Sequence, residues 1–446
     1  MDAIHETARN TRVIAEADIC VLGGSATGVF AAVRAARLGA RVVLVEKQNC
    51  FGGVATSGLV NIWHSLFDTE FKRQIIAGLT LETIERLRKR GAVDTTENDV
   101  DAFRLNTEEL KIELDELVTE AKVKPYLHTF YVAPHVEAGR LAAVIVENKS
   151  GRGAIRAKYF IDATGDGDLC THLGIPHVLP PHRQPSTTCA KLYGFHTLRG
   201  FDLNRAILDH KDEFGIPDPA GWRTYIPGIP EVSFHAETKA YGANCADADE
   251  LTAAEIEGRR QVRAIMDIVR KYGPPGSKIA LVALSSYIGI RETRHIRCSY
   301  RLTEEDVLTG RRFEDAIANG TYRVDIHHDD KPGITFRYLD GRELYFGTGH
   351  RQEGRWRPET PENPTFYQIP FRSMVPQGWN NLIVAGRAID ADRGAFGAIR
   401  VMVNTNQTGE AAGVAAYLAL ASGKSVAELD PAELRRLLAA GGSVVL

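Results

Sequence analysis

The sequence predicts an α/β fold. One parallel-sheet domain is built from both ends of the chain, and an α+β domain is inserted between its halves. Three segments carry this expectation. Residues 18–46 read as strand, Gly-rich turn, helix and strand. Ile161 starts a strand end that runs into Asp162-Ala163-Thr164-Gly165. Leu382-Ile383-Val384-Ala385-Gly386 is a further apolar strand, followed by a long helix of small residues.

The first segment carries the most information. Asp18-Ile19-Cys20-Val21-Leu22 is short, apolar and rich in β-formers, as a buried parallel strand requires. Gly23-Gly24-Ser25-Ala26-Thr27-Gly28 follows at once, then a helix over Val29–Leu38 closed by Gly39 in the usual C-terminal position. Arg41–Val45 is the second strand, and Glu46 stands at its end. Such a unit binds a dinucleotide for physical reasons. Gly23 permits the tight turn, Gly28 lets the helix approach the sheet, and the helix N-terminus faces a pyrophosphate. Glu46, at the customary offset, accepts hydrogen bonds from a ribose and repels a 2′-phosphate, which disfavours NADP. Ser25 takes the place of the middle glycine of the G-x-G-x-x-G pattern. A purely structural strand–helix turn is the alternative.

Next comes the small-residue loop Phe51-Gly52-Gly53. Asn106-Thr107-Glu108-Glu109 signals a helix start, and Leu110, Leu114, Leu117, Val118 and Ala121 form its apolar face. Strand-like runs follow at Tyr126–Val132, Leu141–Glu147 and Ala154–Tyr159. The last leads into Tyr159-Phe160-Ile161-Asp162-Ala163-Thr164-Gly165-Asp166-Gly167-Asp168. At the other end of the chain, a helix over Arg400–Leu420 presents its N-terminus, with Gly394 and Gly397 before it. Gly409 and Gly413 in that helix read as close-packing positions.

These segments resemble the FAD-dependent oxidoreductases whose flavin domain is of the glutathione reductase type, a Rossmann-like fold. The resemblance includes Arg291-Glu292-Thr293-Arg294, Leu302–Val307, Asn381–Arg387, Ala398–Met402 and Thr408–Gly413, and runs from about residue 17 to about residue 421. It implies FAD as cofactor, held by Gly23, Ser25, Ala26, Thr27, Gly28, Glu46, Lys47, Gly52, Gly53, Ala163, Thr164, Gly165, Asp166, Gly386, Arg387, Gly397 and Arg400. It divides the chain into residues 1–180 and 371–446 for the FAD domain and 181–370 for the substrate domain. No second strand–G-x-G-x-x-G–helix unit stands between 180 and 370, so a separate NAD(P) domain is not expected. The electron acceptor is then oxygen, a quinone-like compound or a carrier protein.

Flavin oxidation of a C–H bond needs a base, and reduction needs a cationic clamp and a proton donor. The candidates are His327, Arg291, Arg294, Arg400 and His64. Each has an ordinary alternative: an ion-pair network for Arg291 and Arg294, a polar turn for His327-His328-Asp329-Asp330. No metal is expected, because adjacent histidines on a strand point to opposite faces. The six cysteines are widely spaced without C-x-x-C, which excludes the usual zinc and iron–sulfur patterns. Cys50 reads as a packed residue.

Composition agrees. The chain has 446 residues, 44% hydrophobic and 25% charged, with a net charge of −3. That length accommodates about three domains, here reduced to two interleaved ones. The charge offers nothing to nucleic acid or to an anionic membrane. The first ten residues, with Asp2 and Glu6, lack the apolar core of a signal peptide. The expectation is a cytoplasmic enzyme acting on a small polar molecule, with a homo-oligomer possible in principle. The rival functions are an NAD-dependent dehydrogenase using the first fingerprint alone, or a flavin-fold binding or RNA-modification protein.

Overall fold

The computed structural model of the chain describes residues 3–96, 102–218, 221–347 and 349–446. Asp2, part of the polar N-terminal stretch, lies outside the described residues. Five strands lie side by side in the order Leu382–Val384, Tyr159–Asp162, Ile19–Leu22, Val42–Val45 and Lys124–Tyr126. Every pairing is parallel. The four strands from Leu382–Val384 to Val42–Val45 are buried along their whole length, as the unbroken apolar runs require when both faces of a parallel sheet are covered. The pairing of Phe160 with Leu382 and of Asp162 with Val384 joins the last quarter of the chain to a sheet begun at residue 19.

Helix Ala26–Arg37 links the first two strands in sequence and packs against helix Met402–Ser422. The contact is backbone to backbone. A Cβ on Gly409 would stand 2.1 Å from the Thr27 carbonyl oxygen, and one on Gly413 would stand 2.2 Å from that of Ala31. The close-packing expectation for these glycines holds. Helix Thr107–Glu120 starts where expected: the Asn106 side chain accepts from the Glu108 N–H, and Leu110, Leu114, Leu117 and Val118 are buried.

Two expected elements are divided differently. Tyr126–Val132 is two strands, Lys124–Tyr126 and Phe130–Glu137, separated by a turn in which His128 has a φ of 49°. Ala154–Tyr159 likewise splits into Gly151–Arg156 and Tyr159–Asp162. In both cases one half belongs to the parallel sheet and the other to a second sheet, ordered Val13–Glu16, Gly151–Arg156, Arg140–Asn148, Phe130–Glu137. A continuous β-rich run does not reveal where a chain changes sheets. The long C-terminal helix runs unbroken close to its expected bounds, Met402–Ser422, and a short separate helix precedes it. Asp392 caps a short helix, Arg393–Ile399, through the Ala395 N–H, and Val401 is extended before Met402–Ser422 begins. Arg400 lies between the two helices.

The middle of the chain supplies a four-stranded antiparallel sheet, Arg223–Ile226, Ile229–His235, Ala190–Tyr193 and Ala280–Leu284. Helices Leu203–Phe214 and Ala248–Tyr272 share their own small core through Leu203, Ile207, Ile265, Ile268 and Val269. The strand-like run Ile279–Ile290 is a strand only over Ala280–Leu284. An antiparallel meander follows, Val324–His327, Ile334–Arg337, Arg342–Gly347 and His350–Arg355. Among the described residues no helix is long and apolar enough to cross a membrane. No group of three His, Cys, Asp or Glu residues among them is placed to hold a metal ion.

Candidate functional site

A cavity of about 910 Å³ begins at the Gly23 turn, passes the ends of the parallel strands and reaches the start of helix Met402–Ser422. Its walls come from both the parallel-sheet part and the middle of the chain. At the first end, Gly23 has a φ of 95°, and a Cβ there would meet the Ala163 carbonyl at 2.2 Å. No other residue fits a turn so close to the neighbouring strand end. Ser25, Ala26 and Thr27 line the cavity. Ser25 precedes the helix without a side-chain capping bond, so the first-turn N–H groups are left for an anion. Ser25 is tolerated at the middle position because glycine faces it: a Cβ on Gly53 would lie 2.8 Å from the Ser25 Cβ.

Glu46 is buried and fixed from two sides. Its Oε2 accepts the Gly24 N–H at 2.6 Å and its Oε1 the Gln48 N–H at 2.8 Å. Burial raises its pKa against these bonds. Lys47 donates to the Tyr287 hydroxyl at 3.3 Å. Burial opposes its charge, but Tyr287, Asp166 and Asp168 outweigh that and hold its pKa above the usual lysine value. Asp166 accepts from Thr293 at 2.7 Å and from Arg387 at 2.6 Å, and Arg387 also donates to Thr293 at 2.9 Å. Burial pushes the Asp166 pKa up, yet Arg387 and Thr293 leave it lowered overall. Gly52, Gly53, Ala163, Thr164, Gly165 and Gly386 complete this part of the lining.

Three of the sequence candidates are elsewhere. Gly28 lies behind the turn, where a Cβ would meet the Gly23 carbonyl at 1.8 Å. It holds helix to strand and does not line the cavity. Gly397 packs on strand Val324–His327, with a Cβ position 2.7 Å from the Asp325 carbonyl. Arg294 is spent on the protein, donating to the Asp166 carbonyl at 3.2 Å, the Asp168 carboxylate at 3.0 Å and the Ala246 carbonyl at 3.2 Å. The ion-pair alternative is the right one for Arg294. Helix and turn signals locate a residue along the chain but not the direction its side chain takes.

The other four, Arg291, His327, Arg400 and His64, all line the far end of the same cavity. Arg400 donates to Asp325 Oδ2 at 2.9 Å, and the Tyr322 hydroxyl donates to the same oxygen at 2.8 Å. His327 Nδ1 faces Lys239 Nζ at 3.2 Å. On its other side, Nε2 is 3.3 Å from Asp325 Oδ1, an oxygen without an aligned hydrogen-bond donor among the described residues. His64 lies against the Tyr322 ring with centroids 4.2 Å apart. Burial favours the neutral forms of His64, His327 and Lys239. It takes His64 down to about 3. Together with neighbouring cations it holds His327 and Lys239 well below their ordinary values. Asp325 moves the other way: burial alone would raise it, but His327 and Arg400 hold it well below the carboxylate range.

Sequence reasoning missed Lys239, Asp325 and Asn406. Asp325 had a signal, because Arg323, Asp325 and His327 alternate along a strand and share one face. Lys239 had none: it is brought to His327 across 88 residues by tertiary packing alone. Asn406 lies in the first turns of helix Met402–Ser422 and lines the cavity. Both its amide nitrogen and oxygen are buried without a partner among the described residues. An uncapped helix start beside an unpartnered buried amide fits a ligand edge that offers both donors and acceptors, as a flavin pyrimidine does.

Residues 18–438 match the family described as FAD dependent oxidoreductase. The chain belongs to that family. FAD is its cofactor, and the observed features fit it: a glycine turn and open helix end for the pyrophosphate, Glu46 for the ribose, and Asn406 with the second helix start for the flavin ring. FAD supplies an acceptor for an electron pair. No curated protein matches the sequence. Among solved structures, the oxidoreductase is similar to a geranylgeranyl bacteriochlorophyll reductase-like protein from Thermoplasma acidophilum, at 12% identity and a TM-score of 0.47 over 96% of this chain and 83% of that one. It is also similar to p-nitrophenol 4-monooxygenase from Pseudomonas putida, at 11% identity and a TM-score of 0.46 over 95% and 85% of the two chains.

Proposed function

We propose that this oxidoreductase moves a hydride between a small polar organic substrate and FAD, and that the electrons pass on to oxygen, a quinone-like acceptor or a carrier protein. One observation carries the reading. Arg291, His327, Arg400 and His64 come from four separate segments and meet at the end of the cavity where helix Met402–Ser422 begins. Arg291 and Arg400 orient the substrate. Donation from Lys239 to His327 Nδ1 places the ring proton on Nε2, toward Asp325. A proton leaving the substrate as the hydride departs then goes to Asp325 Oδ1, the unpartnered oxygen that the His327 Nε2–H faces. The meander Val324–Arg355 lines the same region through Ile334, Phe336 and Phe346, which limits water at the reacting atoms. A cytoplasmic, reducing setting is in keeping with six cysteines widely spaced over 446 residues.

An NAD-dependent dehydrogenase using the first fingerprint alone leaves Asn406 and the second helix start without a role. The test is anaerobic mixing of the flavin-loaded enzyme with hydroxy acids, amino acids, sugars and polyamines. Loss of visible flavin absorbance with one class is the expected result. An enzyme that no class bleaches, and whose chemically reduced flavin no candidate acceptor reoxidises, overturns the reading.

A further inference from the structure

Arg291 is held in the cavity wall by neutral groups alone. Its Nη1 donates to the Pro185 carbonyl at 2.5 Å and to Thr187 Oγ1 at 2.6 Å. Both partners are neutral. Thr187 is itself held in place by a bridge to Gly289, so the guanidinium is anchored through one nitrogen. The Nε–Nη2 edge has no partner among the described residues, and Arg291 lines the cavity. The charged or titratable groups around it include Arg400, Lys239, His327 and the carboxylate of Asp325, and Asp325 Oδ2 already accepts from Arg400 and Tyr322 while Oδ1 faces His327 Nε2. Arg323 adds a third guanidinium, seated over the Phe336 ring at 4.0 Å. Three guanidiniums therefore share one carboxylate in a secluded space. A cation in that position is stable only when an anion completes it.

The cofactor phosphates do not provide that anion. They would be held at the uncapped first turn of helix Ala26–Arg37, whereas Arg291 stands with Arg400, Asp325 and Tyr322.

Building on the proposed function above, we propose that the substrate carries a carboxylate, which docks side-on against the Nε–Nη2 edge of Arg291 at the flavin-ring end of the cavity. The edge offers two parallel N–H groups, the geometry that a planar carboxylate matches and a tetrahedral phosphate matches less closely.

The probes are succinate and benzoate, their neutral counterparts succinamide and benzamide, and inorganic phosphate. Each is titrated into the FAD-loaded enzyme and followed by flavin absorbance and calorimetry. Carboxylates are expected to bind about 10- to 100-fold more tightly than the amides, the worth of a charge-assisted pair. Arg291→Met should keep FAD and lose that preference, and Arg291→Lys should keep part of it. Amides binding as well as carboxylates, no binding by any probe, phosphate equalling the carboxylates, or a preference that survives Arg291→Met would each overturn the proposal. The comparison of carboxylate with amide needs only the unaltered enzyme, so a poorly folding variant leaves the test intact. If neutral compounds bleach the flavin while carboxylates show no preference, the proposed function stands and this inference fails. If carboxylates bind selectively but nothing reduces the flavin, the reverse holds.

Discussion

Replacing Gly409 by alanine tests how the two ends of the chain cooperate to hold the cofactor. The added Cβ would lie 2.1 Å from the Thr27 carbonyl oxygen, whereas ordinary contact begins at 3.4 Å, so helices Ala26–Arg37 and Met402–Ser422 must part by about 1.3 Å. The obstacle is backbone, which no rotamer change relieves. Overpacking of this kind costs ~1–3 kcal/mol, and a rigid helix pair belongs at the upper end, about 3 kcal/mol. Thr27 also lines the cavity from the open first turn of helix Ala26–Arg37, whose N–H groups fit the cofactor pyrophosphate. Its displacement weakens the helix-end attraction by ~1–2 kcal/mol, or roughly 5- to 30-fold in FAD affinity. Denaturant unfolding of the apoprotein reads the first quantity, and FAD fluorescence during reconstitution reads the second. Gly354→Ala is the control, because a Cβ there meets nothing within 4 Å. If Gly409→Ala unfolds and binds FAD as the unaltered protein does, the account of the helix pair is wrong.

Three further outcomes are expected. Glu46→Gln presents an amide N–H₂ to one of the two backbone donors that now hold the carboxylate, so FAD should dissociate roughly 10- to 100-fold more readily; equal retention removes Glu46 from the cofactor site. Asn406→Leu should act in opposite directions, stabilising the apoprotein by ~1–3 kcal/mol through loss of an unpartnered buried amide while weakening FAD binding; thermal shifts of the same sign with and without FAD contradict this assignment. Glu410 is buried and accepts from the Leu79 N–H at 3.1 Å, with Arg34 at 3.5 Å, and burial raises its pKa from 4.5 to about 7. A raised folded pKa stabilises fully below the unfolded value and is lost as pH climbs through the folded one. The stability difference between the unaltered protein and Glu410→Gln should therefore fall between about pH 4.5 and pH 7, and a difference that rises over that window refutes it.

The turn at the start of the large cavity was legible in the residues alone. A β-rich run, glycines at fixed offsets, a small-residue helix and an acid at a strand end are local requirements of one turn, and each leaves its mark within about 30 residues. Gly23 and Glu46 were legible for that reason, as was the capped start of the helix at Thr107. Tertiary structure alone decided which long side chains face the cavity. Arg291 and Arg294 stand three residues apart in one motif, yet Arg291 lines the cavity and Arg294 is consumed by Asp168 and two carbonyls. Lys239 reaches His327 and Arg400 reaches Asp325 over separations of 88 and 75 residues. Backbone periodicity is a short-range property. The charge balance of a buried pocket is a long-range sum, fixed only when distant segments pack together.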